Sequence, residues 1–157
     1  MKKIVTLFAL LLMFGIARVE AQTSLTLGPR LGYDIDKLNT HFIGAELRVT
    51  PAALPIVINP SVDYFFLDGD FKLIQGNANA LYTFGIDNQL FTPYAGVGVA
   101  LTRTSVVDYS QNDFGFNVIG GAVFGFGNLR PFVQTQITFG DTEQVTVAGG
   151  VLIRLGS

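Results

Sequence analysis

Arg30, Glu46, Arg48, Asp63 and Arg154 each fall within a long stretch of otherwise uncharged, alternating residues. Three cations and two carboxylates enclosed together cannot stay unpaired, because a lone buried charge costs several kcal/mol. The chemistry such residue types suit is therefore an ion-paired, hydrogen-bonded plug, with Arg30 against Glu46 or Asp63. A solute path lined by the same charges is the functional alternative. Other reactive groups are scarce. The chain has no cysteine, which excludes thiol catalysis, thiol metal sites and disulfides. Its single histidine, His41 in "NTHFIG", has no serine two residues away to act upon. Phosphate loops, paired catalytic carboxylates and metal-ligand spacings are absent from the sequence. The chain is read as no enzyme, with no cofactor and no metal centre.

The elements that must position these charges follow from composition and period. Of 157 residues, 49% are hydrophobic, only 14% are charged and 18 are glycine, against about 25% charged residues in ordinary soluble domains. "MKK", the apolar run "IVTLFALLLMFGI" and the small-x-small site Val19, Glu20, Ala21 before Gln22 read as a cleaved signal peptide over residues 1–21. The remaining domain, residues 22–157, holds seven basic and eleven acidic residues, a net charge of −4. No basic footprint for nucleic acid is present.

Within 22–157, eight stretches alternate apolar with small or polar residues, near 24–34, 40–49, 56–66, 72–84, 91–103, 114–126, 131–139 and 145–155. Each has about the 9–11 residues that a tilted transmembrane strand needs. One face is apolar, for example Leu25, Leu27, Leu31 and Tyr33, or Phe91, Ala95, Val97, Val99 and Leu101. The other carries the five charges above with Asn59, Asn77, Asn79, Tyr94, Asn117, Gln134 and Gln136, interspersed with glycines.

Period alone does not say which face points inward. A lipocalin-like soluble barrel would put the apolar face inside, but its surface would then hold Gly, Asn and Gln and almost no lysine, a poor guard against aggregation. Turned the other way, the apolar face meets lipid and every backbone group pairs around a closed ring. The expected fold is an all-β, eight-stranded antiparallel up-and-down transmembrane β-barrel. Eight strands enclose a space just wide enough for side chains to fill. Inward Gly96 and Gly98 in "TPYAGVGVALTRT" then leave room for Tyr94 and for long side chains from other strands.

With the mature N-terminus in the periplasm, outward Tyr33, Tyr64, Phe66, Phe114, Phe116 and Phe139 gather at the external interface. Tyr82, Phe84, Phe91, Phe124 and Phe126 gather at the periplasmic one. Two aromatic girdles around an aliphatic band are the pattern of outer-membrane barrels.

The stretches "GPRLGY", "NPSVDYFF", "NANALYTF", "TPYAGVGVA", "PFVQTQ" and "VAGGVLIRL" together resemble the small outer-membrane β-barrel proteins of the OmpA/OmpX-like superfamily. The resemblance implies a Gram-negative outer membrane, insertion by the barrel-assembly machinery, and no appended peptidoglycan-binding domain; the expected partners are outer-membrane lipid and lipopolysaccharide, with the chain a monomer. It also implies that an enzymatic member, such as an outer-membrane phospholipase or lipid A deacylase, would show His and Ser partners on one strand, which His41 lacks. Where the family ends on an aromatic insertion signal, this chain has Gly150, Ile153 and Leu155 before Gly156 and Ser157.

The expected external connections carry Asp34, Asp36, Asp68, Asp70, Asp108, Asp113, Asp141 and Glu143 against Lys37, while the inner turns hold Asp87 and Arg130. Such a rim suits divalent cations, and outward Lys72 and Arg103 suit lipopolysaccharide phosphates. The longest outer connection, "TSVVDYSQND", is expected to be about ten residues. These features give three functional expectations: a structural envelope protein, a surface binding module for cations, lipopolysaccharide or host surfaces, and a minimal channel. A soluble lipocalin-like carrier is the rival at the level of the fold.

Overall fold

The computed structural model describes residues 23–52, 54–86, 90–141 and 143–155. Residues 1–21, read above as a signal peptide, lie outside the described residues, as do Asp87, Gly156 and Ser157.

Eight strands follow one another along the chain: β1 (Ser24–Asp34), β2 (His41–Thr50), β3 (Ile56–Phe65), β4 (Lys72–Thr83), β5 (Phe91–Val106), β6 (Tyr109–Phe124), β7 (Leu129–Gly140) and β8 (Gln144–Leu155). Each pairs antiparallel with its sequence neighbours, and β1 pairs with β8, so the sheet closes on itself in the order β1 to β8. Closure leaves no free edge around the wall, the condition for a sheet surrounded by hydrocarbon.

The period-2 alternation predicted from sequence decides the faces. Outward positions are apolar and exposed, including Leu31, Ile43, Val62, Val97, Phe116 and Ile153. Val97 is 63% exposed while Asn79 and Asn117, the inward residues of the adjacent strands beside it, are 3% and 1% exposed. A belt of exposed Leu, Ile, Val and Phe around a buried set of Asn, Gln, Thr and Arg inverts the arrangement that water selects.

The β1–β2, β3–β4, β5–β6 and β7–β8 connections lie together at one end of the barrel, the upper end. The expected ten-residue connection there is not a loop. β5 and β6 continue as a ribbon, Ser105 opposite Ser110 and Val106 opposite Tyr109, joined by residues 107–108, with Asp108 at φ 66° in the left-handed region that Asp tolerates. β4 accompanies β5 only as far as Ser105, and β7 meets β6 only from Gly115 onward, so the tip stands above the wall.

The inward face is not polar throughout, as the sequence reading had it. Phe42, Phe65, Leu73 and Ala148 form an apolar layer near the upper end, backed by Leu38 and Leu67. Val57, Leu81, Tyr94, Ile119, Val123, Phe132 and Leu152 form a second near the lower end. Most of the buried polar residues lie between these two layers, while Thr26, opposite Arg154, and Asp34, at the end of β1, lie beyond them at the lower and upper ends.

Candidate functional site: the filled lumen

Register explains how side chains from different strands meet. Gly150, Arg30, Gly44, Asp63 and Gln75 form one inward row across β8, β1, β2, β3 and β4. Gly44 is the residue between Arg30 and Asp63, and a Cβ there would run into the Asp63 carboxylate and the Val62 carbonyl. Its bare backbone lets Arg30 Nε approach Asp63 Oδ1 to 3.0 Å across a whole strand.

Arg30 also donates from Nη1 to Glu46 Oε2 at 3.1 Å, and Arg48 Nε donates to Glu46 Oε1 at 2.6 Å. Glu46 thus sits between two guanidinium groups, and the four side chains carry no net charge. Each is at most 5% exposed. Both of the partners proposed for Arg30 from sequence, Glu46 and Asp63, are engaged at once. Arg154 is not part of this network: it is exposed, opposite Thr26 at the lower end. Its alternation phase is inward, but it lies beyond Leu152, where the lumen opens.

Tyr94 connects the charged side to the amide side. Arg48 Nη2 donates to Tyr94 Oη at 3.0 Å, and Tyr94 Oη donates to Gln134 Oε1 at 2.8 Å. Gly121 lies between Tyr94 and Gln134 in the row, and a Cβ there would stand 2.6 Å from Tyr94 Oη. The Arg48 guanidinium lies between two rings, 4.6 Å from the Tyr94 centroid and 4.8 Å from that of Phe132. Arg30 stands 5.6 Å from the Phe42 ring. Sequence reasoning placed Tyr94 inward without its role as bridge, and it did not foresee the apolar layers.

The remaining lumen is a relay of amides. Asn77 Nδ2 donates to Asp63 Oδ2 at 3.2 Å, Asn117 Nδ2 donates to Asn77 Oδ1 at 3.1 Å, and Thr138 Oγ1 donates to Asn117 Oδ1 at 2.9 Å. Asn117 also donates to Asn79 Oδ1 at 2.9 Å, passing over Gly98, where a Cβ would meet the same amide. Gln75 Nε2 joins Thr102 and Gln144 at 3.1 and 3.0 Å. Gly98 thus gives space as predicted, but to the Asn79 amide; Gly96 gives it to Leu81, and it is Gly121 that makes room for Tyr94.

The aromatic residues named above take two levels. Tyr33 packs edge-on against His41 at 4.9 Å, Tyr64 against Phe66 and Phe114 against Phe116 near the upper end, where Phe139 lies opposite Phe116. Tyr82 packs against Phe84 and Phe91 against Phe124 near the lower end, where Phe126 bridges to Leu129. His41 is exposed on the outer face of β2.

The acidic rim is thinner than expected. Asp34 is the last residue of β1 and fully buried, its Oδ1 accepting the Asp36 backbone N–H at 2.9 Å. Asp113 is half-buried within β6 and accepts from Gln111 at 2.8 Å. Asp36, Asp68, Asp70, Asp108, Asp141 and Glu143 remain exposed beside exposed Lys37. Among the described residues no three acidic or histidine groups gather closely enough to hold a metal ion. Lys72 and Arg103 are exposed on the outer wall of β4 and β5.

Comparison with solved structures places the architecture. The N-terminal β-barrel domain of Pseudomonas aeruginosa OprF superposes with a TM-score of 0.71 at 14% identity, covering 87% of this chain and all of that one. Neisserial surface protein A gives 0.66 at 15% identity, covering 86% and 97%. Ail, the attachment invasion locus protein of Yersinia pestis, gives 0.58 at 16% identity, covering 87% and 100%. No family model and no curated protein matches the sequence. The chain has the fold of the eight-stranded outer-membrane β-barrels.

Proposed function

We propose that this chain, with the fold of the eight-stranded outer-membrane barrels, is an integral outer-membrane protein whose role is structural, supporting the integrity of the envelope. The observation that carries this reading is the lumen: a net-neutral ion network and an amide relay, enclosed between two apolar layers. A barrel filled in this way is a rigid insert in the bilayer rather than a conduit. The reading assigns no reaction and no cofactor to the chain, and its biogenesis partner is the barrel-assembly machinery. Purified barrel in planar bilayers tests it. Electrical silence at up to 100 mV is expected, whereas steady single-channel steps would favour the minimal-channel reading.

A second reading, a surface binding module, is favoured by one observation: the β5–β6 ribbon lifts exposed Val107 and Tyr109 above the wall. Binding sites on rigid scaffolds sit on such projections. Ail of Yersinia pestis, of similar fold, is an attachment invasion protein and has been crystallised with the heparin analogue sucrose octasulfate. Adhesion of cells displaying the chain, with and without residues 105–110, separates this role from the structural one.

A further inference from the structure

The outer wall at the upper end holds a groove of about 520 Å³ between the β3–β4 connection and the base of the β5–β6 ribbon. Phe66, Phe71 and Val107 line it with apolar surface, and Ser105, Lys72 and the exposed Asp70 line it as well. Lys72 lies opposite Ser105, and Arg103 lies opposite Ile74, one outward position further down the wall. Outward residues on this diagonal of neighbouring strands are within reach of one another when the side chains are long. Among the described residues neither cation is ion-paired with a carboxylate.

Their height is as informative as their charge. Tyr64, Ile74 and Arg103 share one row across β3, β4 and β5, and Phe114 lies opposite Leu101, one outward position below Arg103. The two cations therefore stand at the level of the upper aromatic girdle and just above it, where an apolar belt meets headgroups. Below them β4 shows Gly76, Ala78 and Ala80 outward, between Val62 on β3 and the taller Leu101, Val99 and Val97 on β5. A Cβ on Gly76 would meet nothing nearer than the Leu101 carbonyl at 4.0 Å. A shallow furrow thus descends from the cation pair into the hydrocarbon-facing band.

We propose that Lys72, Arg103 and the adjoining groove form a binding site for a phosphorylated lipid of the outer leaflet, its phosphate held by the two cations and an acyl chain lying along the β4 furrow. The combination selects an amphiphile: paired cations favour phosphate, and apolar sides next to them favour a molecule that brings hydrocarbon to the same place. This rests on the outer-membrane reading above and names one partner within it.

The test is native mass spectrometry of the refolded, heat-modifiable barrel in detergent, with bisphosphorylated lipid A and its dephosphorylated form as probes. Retention of the phosphorylated lipid at least tenfold above the dephosphorylated one is expected, with no displacement by millimolar inorganic phosphate. The double variant Lys72→Ala/Arg103→Ala should abolish the preference. Ser105→Trp, which fills the groove and keeps both cations, should weaken retention several-fold, and Arg154→Ala at the opposite end should leave it unchanged. Equal retention of the two lipids, or a preference that survives the double variant or falls equally with Arg154→Ala, overturns the site while the barrel stands. Displacement by inorganic phosphate overturns the lipid and leaves only an anion site. A chain that never becomes heat-modifiable overturns the outer-membrane reading and the site with it.

Discussion

Arg30 and Asp63 belong to strands that are not neighbours, yet Nε and Oδ1 lie 3.0 Å apart because the residue between them, Gly44, has no side chain. The same arrangement recurs where Asn117 reaches Asn79 over Gly98 and where Tyr94 reaches Gln134 over Gly121. Inward glycines are thus the gaps through which second-neighbour strands are tied, and the ties turn a ring of hairpins into a filled cylinder.

Gly44→Ala should therefore destabilise the folded barrel by about 3 kcal/mol, since its methyl group displaces the Asp63 carboxylate from Arg30. Gly76→Ala on the same sheet, whose Cβ would make only an ordinary contact with the Leu101 carbonyl at 4.0 Å, should change stability by less than about 0.5 kcal/mol. Urea unfolding of both variants in lipid vesicles measures the contrast.

Breaking the ion network from one side should cost more than removing a matched pair. Arg30→Met leaves Asp63 with Asn77 as its remaining polar partner and is expected to lose about 3–5 kcal/mol. Combined with Asp63→Leu, the loss should fall well short of the sum of the single losses, with a coupling of at least about 1 kcal/mol. A double-mutant cycle in the same unfolding assay gives this number.

Tyr94→Phe keeps the ring against which Arg48 stacks and removes the hydroxyl that joins Arg48 to Gln134. Gln134 Nε2 is already without a partner, so the variant strands the whole amide. A loss of about 1–3 kcal/mol is expected, and Tyr94→Leu, which also removes the stacking, should lose more. Thermal shift of the heat-modifiable band on a detergent gel ranks the two.

The ribbon tip offers a test of orientation. An epitope inserted between Val107 and Asp108 breaks no strand pairing and should be tolerated. With the upper end outside the cell, antibody should label intact cells. Labelling only after the envelope is breached would reverse the assignment of the two ends.

Much of this arrangement is legible in the sequence, because a closed barrel writes its faces into the chain with period 2. The ribbon was not legible, because above the wall neither side of β5 and β6 is buried, so "TSVVDYSQND" has no alternation and reads as a loop. Arg154 was misplaced because alternation gives a residue's face and not its depth. The apolar layers did leave a signal: "HFI", "YFF" and "KLI" put apolar residues at consecutive positions, which on a strand means that both faces are apolar. Asp34 was assigned to the rim because Asp ordinarily marks a turn, and here it ends β1 by accepting the backbone N–H two residues on.

The apolar face of the barrel points outward to acyl chains and the polar face inward. The chain contains no tryptophan, so a single introduced indole reports its own surroundings. Phe116 is 60% exposed on the outer face of β6, and Phe42 is 1% exposed in the upper apolar layer of the lumen. In vesicles of lipids brominated on their acyl chains, the heat-modifiable Phe116→Trp barrel should lose most of its fluorescence, and Phe42→Trp should keep nearly all of it. Quenching of Phe42→Trp with sparing of Phe116→Trp would contradict this orientation of the two faces.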